Sequence, residues 1–425
     1  MNQNLKRPTR RLRRQLRGIY TYQFVSCLDI VGAVWVALLA ARGYSLWQIG
    51  LAEGVHHIVG LMVEVPSGMA ADLLGRKRTL ALSGVMAAIS GLTMALERGF
   101  GFVLVSMAFS ALSYNLISGT MEALTYDSLC EADRTDLYPT VQTRCAWLLS
   151  AGNFAGRAAS ALTALLSFTK FYLLDMALGI ARSLSALCLR EPVVTETQAA
   201  RQAADARTLL VTLPRRLRDH VGATLGFLAG RPAVRRLLLA NALIALPSYL
   251  TLMFLQQWLS AAGVSTALLG VLTCLMEAGR PLGTWLSLRV HPRRLLSLYA
   301  GCAAAAGLCT VAAGLAPLPL ALAGSCGFAA TEMLWSLCSE RRLNDAFPSD
   351  QRATLVSVDS LVYSLLMIPV SPLTGLAGDL TGAPGAGLAL LGLALLAAVG
   401  RGGGAAAPAP PVKFRAVHWP AEPLQ

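Results

Sequence analysis

The sequence predicts an all-α polytopic membrane protein with twelve transmembrane helices and both termini in the cytoplasm. Three observations carry that expectation. The first is composition: the 425 residues are 55% hydrophobic and 14% charged, whereas a soluble domain carries about a quarter charged residues. The second is a succession of twelve apolar runs, each near the roughly 20 residues an α-helix needs to cross a bilayer. The third is the placement of the basic residues. Of 36 Lys and Arg, 29 fall in segments that alternation assigns to one side. Three lie in loops on the other side (Arg42, Arg98 and Lys170), and four lie within spans (Arg144, Arg157, Arg182 and Arg280). Such a bias marks the cytoplasmic face and requires an even number of spans.

A basic tail, 1–17, precedes span 1 at about 18–40. That run is long for a signal-peptide core and Asp29 interrupts it, so it is expected to stay as an uncleaved helix. A short loop leads to span 2, about 47–71, and then to a charged hairpin, Gly68-Met-Ala-Ala-Asp72-Leu-Leu-Gly75-Arg76-Lys77-Arg78. Its arginines and lysine pin the hairpin at the cytoplasmic surface. Spans 3 to 6 follow at about 79–96, 100–126, 139–167 and 171–189. Residues 190–231 are polar and Arg-rich, with an amphipathic surface helix expected at 213–228. Spans 7 to 12 lie at about 233–259, 265–288, 294–315, 317–338, 353–377 and 384–400. The Gly-, Ala- and Pro-rich tail, 401–425, is expected to be disordered. The domains are thus 18–189 and 232–400, joined by the loop 190–231.

The net charge of +13 could suggest nucleic acid, but the basic residues sit in loops on one side, so no nucleic-acid binding is expected. The nine cysteines fall almost wholly inside apolar spans and form no C-x-x-C, which points to small core side chains rather than a metal site or disulfides. No H-E-x-x-H, G-x-S-x-G or P-loop pattern is present, so neither an enzyme nor a self-contained ATP-driven pump is expected. No cofactor is expected. Two six-span halves flank the central loop, and Thr120-Met-Glu122 in span 4 is weakly echoed by Thr331-Glu332-Met in span 10. Such duplication is typical of transporters.

A charge within a span is costly and normally faces a cavity or a partner. Spans 3, 9 and 12 carry none in their interiors. Span 2 places Glu53, His57, Gly60 and Glu64 on one helical face, a pattern suited to a proton relay or, for Glu64, to a pair with a nearby base. Asp29, near the middle of span 1, is a candidate coupling or substrate-binding acid, or half of a structural ion pair. Asn115, Ser118, Glu122 and Tyr126 share a face of span 4. Arg157 in span 5 follows Gly152 and Gly156 and is expected to pair with an acid on span 1, 2 or 4. Glu277 and Arg280 in span 8 can satisfy each other at i, i+3. Glu332 in span 10 mirrors Glu122.

The hairpin Gly68-x-x-x-Asp72-x-x-Gly75-Arg76-Lys77-Arg78 resembles in full the signature loop of the major facilitator superfamily, bacterial type. Glu64-Val-Pro66-Ser-Gly68, Ser118-Gly-Thr-Met-Glu122-Ala-Leu-Thr-Tyr-Asp127 and Arg352-Ala-Thr-Leu-Val-Ser-Val resemble further family segments. Gly375-x-x-x-Asp379-x-x-Gly382 repeats the skeleton without its basic residues, and Arg289-Val-His-Pro-Arg-Arg294 is a degenerate copy. The resemblance covers about 18–400. It implies two six-helix bundles around a central cavity, alternating access, and spans 3, 6, 9 and 12 at the periphery. It also implies that Gly68, Asp72, Gly75, Arg76, Lys77 and Arg78 form a gating loop, with Asp72 and Arg76 locking the closed cytoplasmic side against the other half. Span 5 reads Ala151-Gly-Asn-Phe-Ala-Gly-Arg157 and lacks the Gly-Pro of drug/proton antiporters; the span 4 arginine of many members is also absent.

Acids on cavity-facing spans lead to the expectation of a monomeric secondary transporter in the inner or plasma membrane, surrounded by membrane lipid. Its expected work is proton-coupled export of a small amphipathic or cationic compound. Uptake of a sugar or metabolite is the alternative within the class. A non-transporting receptor or scaffold is the alternative outside it.

Overall fold

A computed structural model of the protein describes residues 9–192, 222, 226, 229–290, 295–346, 349–383 and 385–402. The expected surface helix at 213–228 falls almost wholly outside the described residues, as does the tail beyond 402. The architecture is all-α. The first half contains α1 (Arg10–Ser26), α2 (Trp35–Ala41), α3 (Leu46–Leu74), α4 (Arg76–Ala95), α5 (Phe100–Ile117), α6 (Thr120–Cys130), α7 (Tyr138–Ala159) and α8 (Phe168–Leu187). The second contains α9 (Pro232–Ala261), α10 (Thr266–Glu277), α11 (Arg280–Ser287), α12 (Leu295–Leu315), α13 (Leu318–Ala346), α14 (Ser349–Thr381) and α15 (Ala386–Gly402).

These helices map onto the expected spans with three interruptions. Span 1 is not continuous: α1 ends at Ser26 and α2 begins at Trp35. The reason is visible at the break, where the Asp29 carboxylate accepts the Gly32 N–H at 2.8 Å. An aspartate that bonds its own nearby backbone offers the chain an alternative to the helical ladder. Span 4 breaks at Ser118–Gly119, where Gly119 takes φ 72°, and α6 resumes at Thr120. A left-handed residue ends a helix, and glycine adopts it without a Cβ clash. Span 8 breaks between Glu277 and Arg280. The basic tail also differs from expectation, because helix α1 begins at Arg10, capped by the Thr9 hydroxyl.

Among the described residues, six helical segments are by length and composition alone long and apolar enough to cross a membrane: Arg76–Ala95, Phe100–Cys130, Val234–Ala261, Leu298–Leu315, Leu318–Leu343 and Val358–Thr381. Span 1 is interrupted, and spans 2, 5, 6 and 8 carry ionisable residues.

The chain divides into two compact units. The first comprises Met1–Gly222 with Gln256–Cys274 and Ser371–Gly375; the second comprises Ala223–Leu255, Leu275–Val370 and Leu376–Gln425. In the first unit α4 packs closely along α8 and α5. A Cβ on Gly84 would collide with the Ser183 backbone, and one on Gly179 would lie 2.5 Å from the Ala88 nitrogen. In the second unit α12 packs along α15 and α13, with Gly307 against Gly392 and Gly314 against Gly385. Lipid offers no hydrophobic drive between helices, so they associate through such small-residue contacts. At the outer loops of the first unit, Arg42 pairs with Glu97 at 3.0 Å and stacks 4.1 Å over the Phe168 ring. Tyr44 donates to the same carboxylate; burial and the Glu97 charge push its hydroxyl up to about 12.

The α4–α8 contact leaves no room for a side chain at Gly179. Gly179→Val is expected to destabilise the protein by about 1–3 kcal/mol or more, read as a lower midpoint of thermal unfolding in detergent. An unchanged midpoint would show that the interface can widen freely.

Candidate functional site

The charged hairpin between α3 and α4 turns on Gly75, whose φ of 83° suits glycine. The first two amides of α4 then point at one carboxylate: the N–H groups of Arg76 and Lys77 donate to the two oxygens of Glu191, each at 2.7 Å. An anion at a helix N-terminus satisfies orphan amides and meets the positive end of the helix dipole. The Arg76 guanidinium reaches the other way. It pairs with Asp127 near the end of α6 and donates to the Ala123 carbonyl. Lys77 is half-buried and Arg78 exposed. Arg76 therefore joins α4 to α6 inside the first unit, a contact distinct from the lock against the opposite half expected of Asp72 and Arg76. The side chain of Asp72, the other half of that expected lock, lies outside the described residues. Neither Glu191 nor Asp127 was singled out from the sequence as a gating residue. Their signal is weak: each is an acid at the cytoplasmic end of a span whose neighbour begins with arginine.

In the interior of the first unit Glu53 is almost fully buried and lies 3.3 Å from the His57 Nε2. His56 stacks edge-on to His57, and the ring of Tyr114 lies 6.4 Å from His56. A Cβ on Gly60 would lie 3.4 Å from the Asn115 amide nitrogen. On the predicted stripe of span 2, Glu53 thus meets His57 and Gly60 faces Asn115 of span 4. Asn115 itself donates to the Ala111 carbonyl at 2.9 Å. Glu64 is half-buried further along α3, and its carbonyl accepts the Ser67 hydroxyl. Glu122 is exposed on α6, and the break at Gly119 separates it from the helix carrying Asn115. The uniform face expected along span 4 is therefore split.

Asp29 sits at the break in span 1, with Gly156 of α7 packed on its backbone and Gly152 against Phe24 and Cys27. Arg182 on α8 supplies the missing partner for the end of α1. Its guanidinium donates to the Ser26 carbonyl at 2.9 Å and to the Ser113 hydroxyl at 3.2 Å. A cation there meets the negative end of the α1 dipole. The sequence located Arg182 within span 6, but only the fold brings it to the α1 terminus. Arg157 does not follow expectation: its described hydrogen-bond partner is the Thr273 carbonyl, at 3.3 Å, rather than a carboxylate.

A seam of backbone contacts runs through the same unit. Gln256 donates to the Gly32 carbonyl at 2.9 Å and accepts the Val36 N–H at 3.3 Å. The Thr163 hydroxyl meets that of Thr266 at 2.9 Å. Gly270 lies against the Arg157 carbonyl, Gly50 against Ser371, and Gly375 against Leu46. These contacts knit the outer ends of spans 1, 2 and 5 to those of spans 7, 8 and 11.

In the second unit Arg280 is held by two carboxylates. It bonds Glu277 one turn back and lies 2.8 Å from Glu332 on α13. The Glu277–Arg280 pair, which spans the break between α10 and α11, was legible from i, i+3 spacing; the second carboxylate was not. One guanidinium between two carboxylates leaves an excess negative charge. Glu277 also lines a small void with Ser248, Thr251 and Ser325. A second polar cluster joins three helices. Asn241 donates to Asp359 at 3.1 Å and accepts from the Trp335 indole at 3.0 Å and from the Ser339 hydroxyl at 2.6 Å. Asp359 was missed although span 11 plainly contains it.

The Arg76–Asp127 pair is expected to couple energetically. In a double-mutant cycle of Arg76→Ala and Asp127→Asn, followed by thermal unfolding, the interaction is expected to be about 0.5–3 kcal/mol. Strict additivity would remove the pair as the lock between α4 and α6.

The geometry can be set beside known proteins. The chain is 33% identical to the uncharacterized MFS-type transporter YxaM of Bacillus subtilis (strain 168) over 95 residues, which is 22% of this chain and 24% of that relative. The matched stretch thus spans about a quarter of YxaM. Solved structures resemble the whole fold. The nucleoside transporter NupG aligns with a TM-score of 0.65 at 13% identity, over 92% of this chain and 97% of that one. A bacterial homolog of the human lysosomal transporter Spinster, inward-facing and occupied, aligns with a TM-score of 0.66 at 18% identity, over 92% and 91%. The D-xylose-proton symporter aligns with a TM-score of 0.63 at 14% identity, over 91% and 94%. The sequence description of the Major Facilitator Superfamily matches residues 21–343, and with the all-α fold and its signature hairpin in place, the chain belongs to that superfamily of membrane transporters.

Proposed function

We propose that the chain is a plasma-membrane carrier that exports a small cationic or amphipathic compound in exchange for protons, by alternating access. The observation that carries this reading is Arg280 flanked by Glu277 and Glu332, which leaves a negative charge within the second unit. Ionisable residues inside spans are functional by default, because burying them for structure alone is costly. A carboxylate that holds either a proton or a cation makes the two occupants exclusive. Coupled to an inward proton gradient, that exclusivity drives the cation outward. Glu53 with His57 and Asp29 at the helix break are the further acids that could carry the proton. The seam of Gln256, Gly270 and Gly375 is the contact that must part as the carrier turns outward.

Proteoliposomes enclosing a pH dye, challenged with organic cations and with neutral solutes, test the reading. Cation added outside is expected to enter as protons leave the lumen, so that the enclosed dye reports a rise in pH. Glu332→Gln is expected to slow cation flux at least tenfold, equivalent to about 1.4 kcal/mol. Asp29→Asn is expected to abolish the proton movement while leaving solute exchange. Flux of neutral solutes alone, insensitive to Glu332→Gln, would assign an uptake carrier instead. Unchanged pH dependence in Asp29→Asn would remove Asp29 from coupling.

A further inference from the structure

A cavity of about 570 Å³ opens at the cytoplasmic rim of the first unit, away from every residue assigned above to transport. Its lining includes Arg11, Arg14, Gln15, Glu131, Cys188 and Arg190. Three elements build it. Helix α1 begins two turns before the expected span, so Arg11 and Arg14 are carried on rigid backbone rather than on a loose tail. The inner face of that extension is buried: Leu12, Leu16 and Ile19 pack in one cluster with Leu129 and Leu189. Gln15 then fixes the wall. Its amide donates to the Ser128 hydroxyl at 3.0 Å and to the Arg190 carbonyl at 2.9 Å, and its oxygen accepts the Arg190 N–H at 3.0 Å.

The charges are unequal. Arg190 pairs with Glu131, and among the described residues no ion pair engages Arg11 or Arg14. Three guanidiniums against one carboxylate leave two positive charges on the lining. We infer that this cavity binds the phosphodiester headgroup of an anionic phospholipid of the inner leaflet. Guanidinium groups bind phosphate oxygens through paired, charge-assisted hydrogen bonds. A basic pocket on the cytoplasmic side of a membrane protein meets the leaflet in which negative headgroups are concentrated. A lipid fits better than a free anion because α1 runs directly from this rim into span 1. The cavity therefore stands at headgroup level at the end of α8, whose Leu184 and Leu187 are exposed and give acyl chains an apolar surface to follow. The bound headgroup would tie α1 to the ends of α6 and α8, the same three elements that Gln15 joins.

Cys188 lines the cavity and is exposed, so it reports occupancy without any transport assay. The full chain is placed in nanodiscs of phosphatidylcholine alone or with added phosphatidylglycerol. Alkylation of Cys188 by the neutral reagent N-ethylmaleimide is followed by peptide mass spectrometry. Phosphatidylglycerol is expected to slow alkylation about fivefold or more. The slowing is expected to vanish in Arg11→Ala/Arg14→Ala, whose side chains are exposed and whose loss leaves the core intact; an unchanged thermal midpoint in phosphatidylcholine confirms the fold. Equal rates in the two lipids, or slowing that survives in the double variant, would overturn the site. Equal protection by inorganic phosphate in phosphatidylcholine discs would overturn the lipid assignment.

Discussion

Inside a bilayer every backbone amide and carbonyl must find its partner within the protein. That constraint explains the polar partners found where helices of this chain stop. Span 1 ends at Ser26, and the freed carbonyl is met by Arg182 from α8. The amides past the break are met in part by Asp29 and by Gln256. Span 8 stops between Glu277 and Arg280, the two residues that begin the charged cluster with Glu332. Breaks and ionisable groups thus occur together. Each break requires a polar partner, and each polar partner needs a place in the membrane where it is not alone.

The cytoplasmic hairpin obeys the same rule at the surface. Gly75 lets the chain turn with φ 83°, and the exposed amides of α4 are closed by Glu191. Arg76 then binds the far end of span 4 through Asp127 and Ala123. The result is a rigid corner joining spans 2, 3, 4 and 6 of one unit. A carrier that alternates between two states needs such corners, because a load on one helix end must move a whole body rather than bend one helix.

The legible parts of the molecule were those with short-range causes. Apolar length placed helix at each expected span, though the helix at span 1 begins at Arg10 and that at span 10 runs on to Ala346, and i, i+3 spacing paired Glu277 with Arg280. On span 2, i, i+4 spacing placed Glu53 against His57. The illegible parts depended on residues far apart in sequence. Nothing near Arg157 indicates that its guanidinium meets the Thr273 carbonyl, and nothing near Arg280 singles out Glu332. Asp127 reads as an unremarkable acid until α4 is laid beside α6. Glycines followed the same division. Their abundance signalled close packing, but only the packed helices show that Gly84 and Gly179 serve the α4–α8 contact.

The sequence by itself determined the class of protein, the membrane topology and the superfamily. Hydrophobicity, loop charge and the signature hairpin are local properties, each readable along a single stretch of chain. Tertiary structure decided where helices break, which carboxylates share an arginine, and that residues 10–17 of the basic tail are helical with a cavity beside them. Those outcomes rest on residues far apart in sequence, as are Gly32 and Gln256, separated by 224 residues. Their pairing is set by the packing of whole helices, a property that no local stretch of sequence carries.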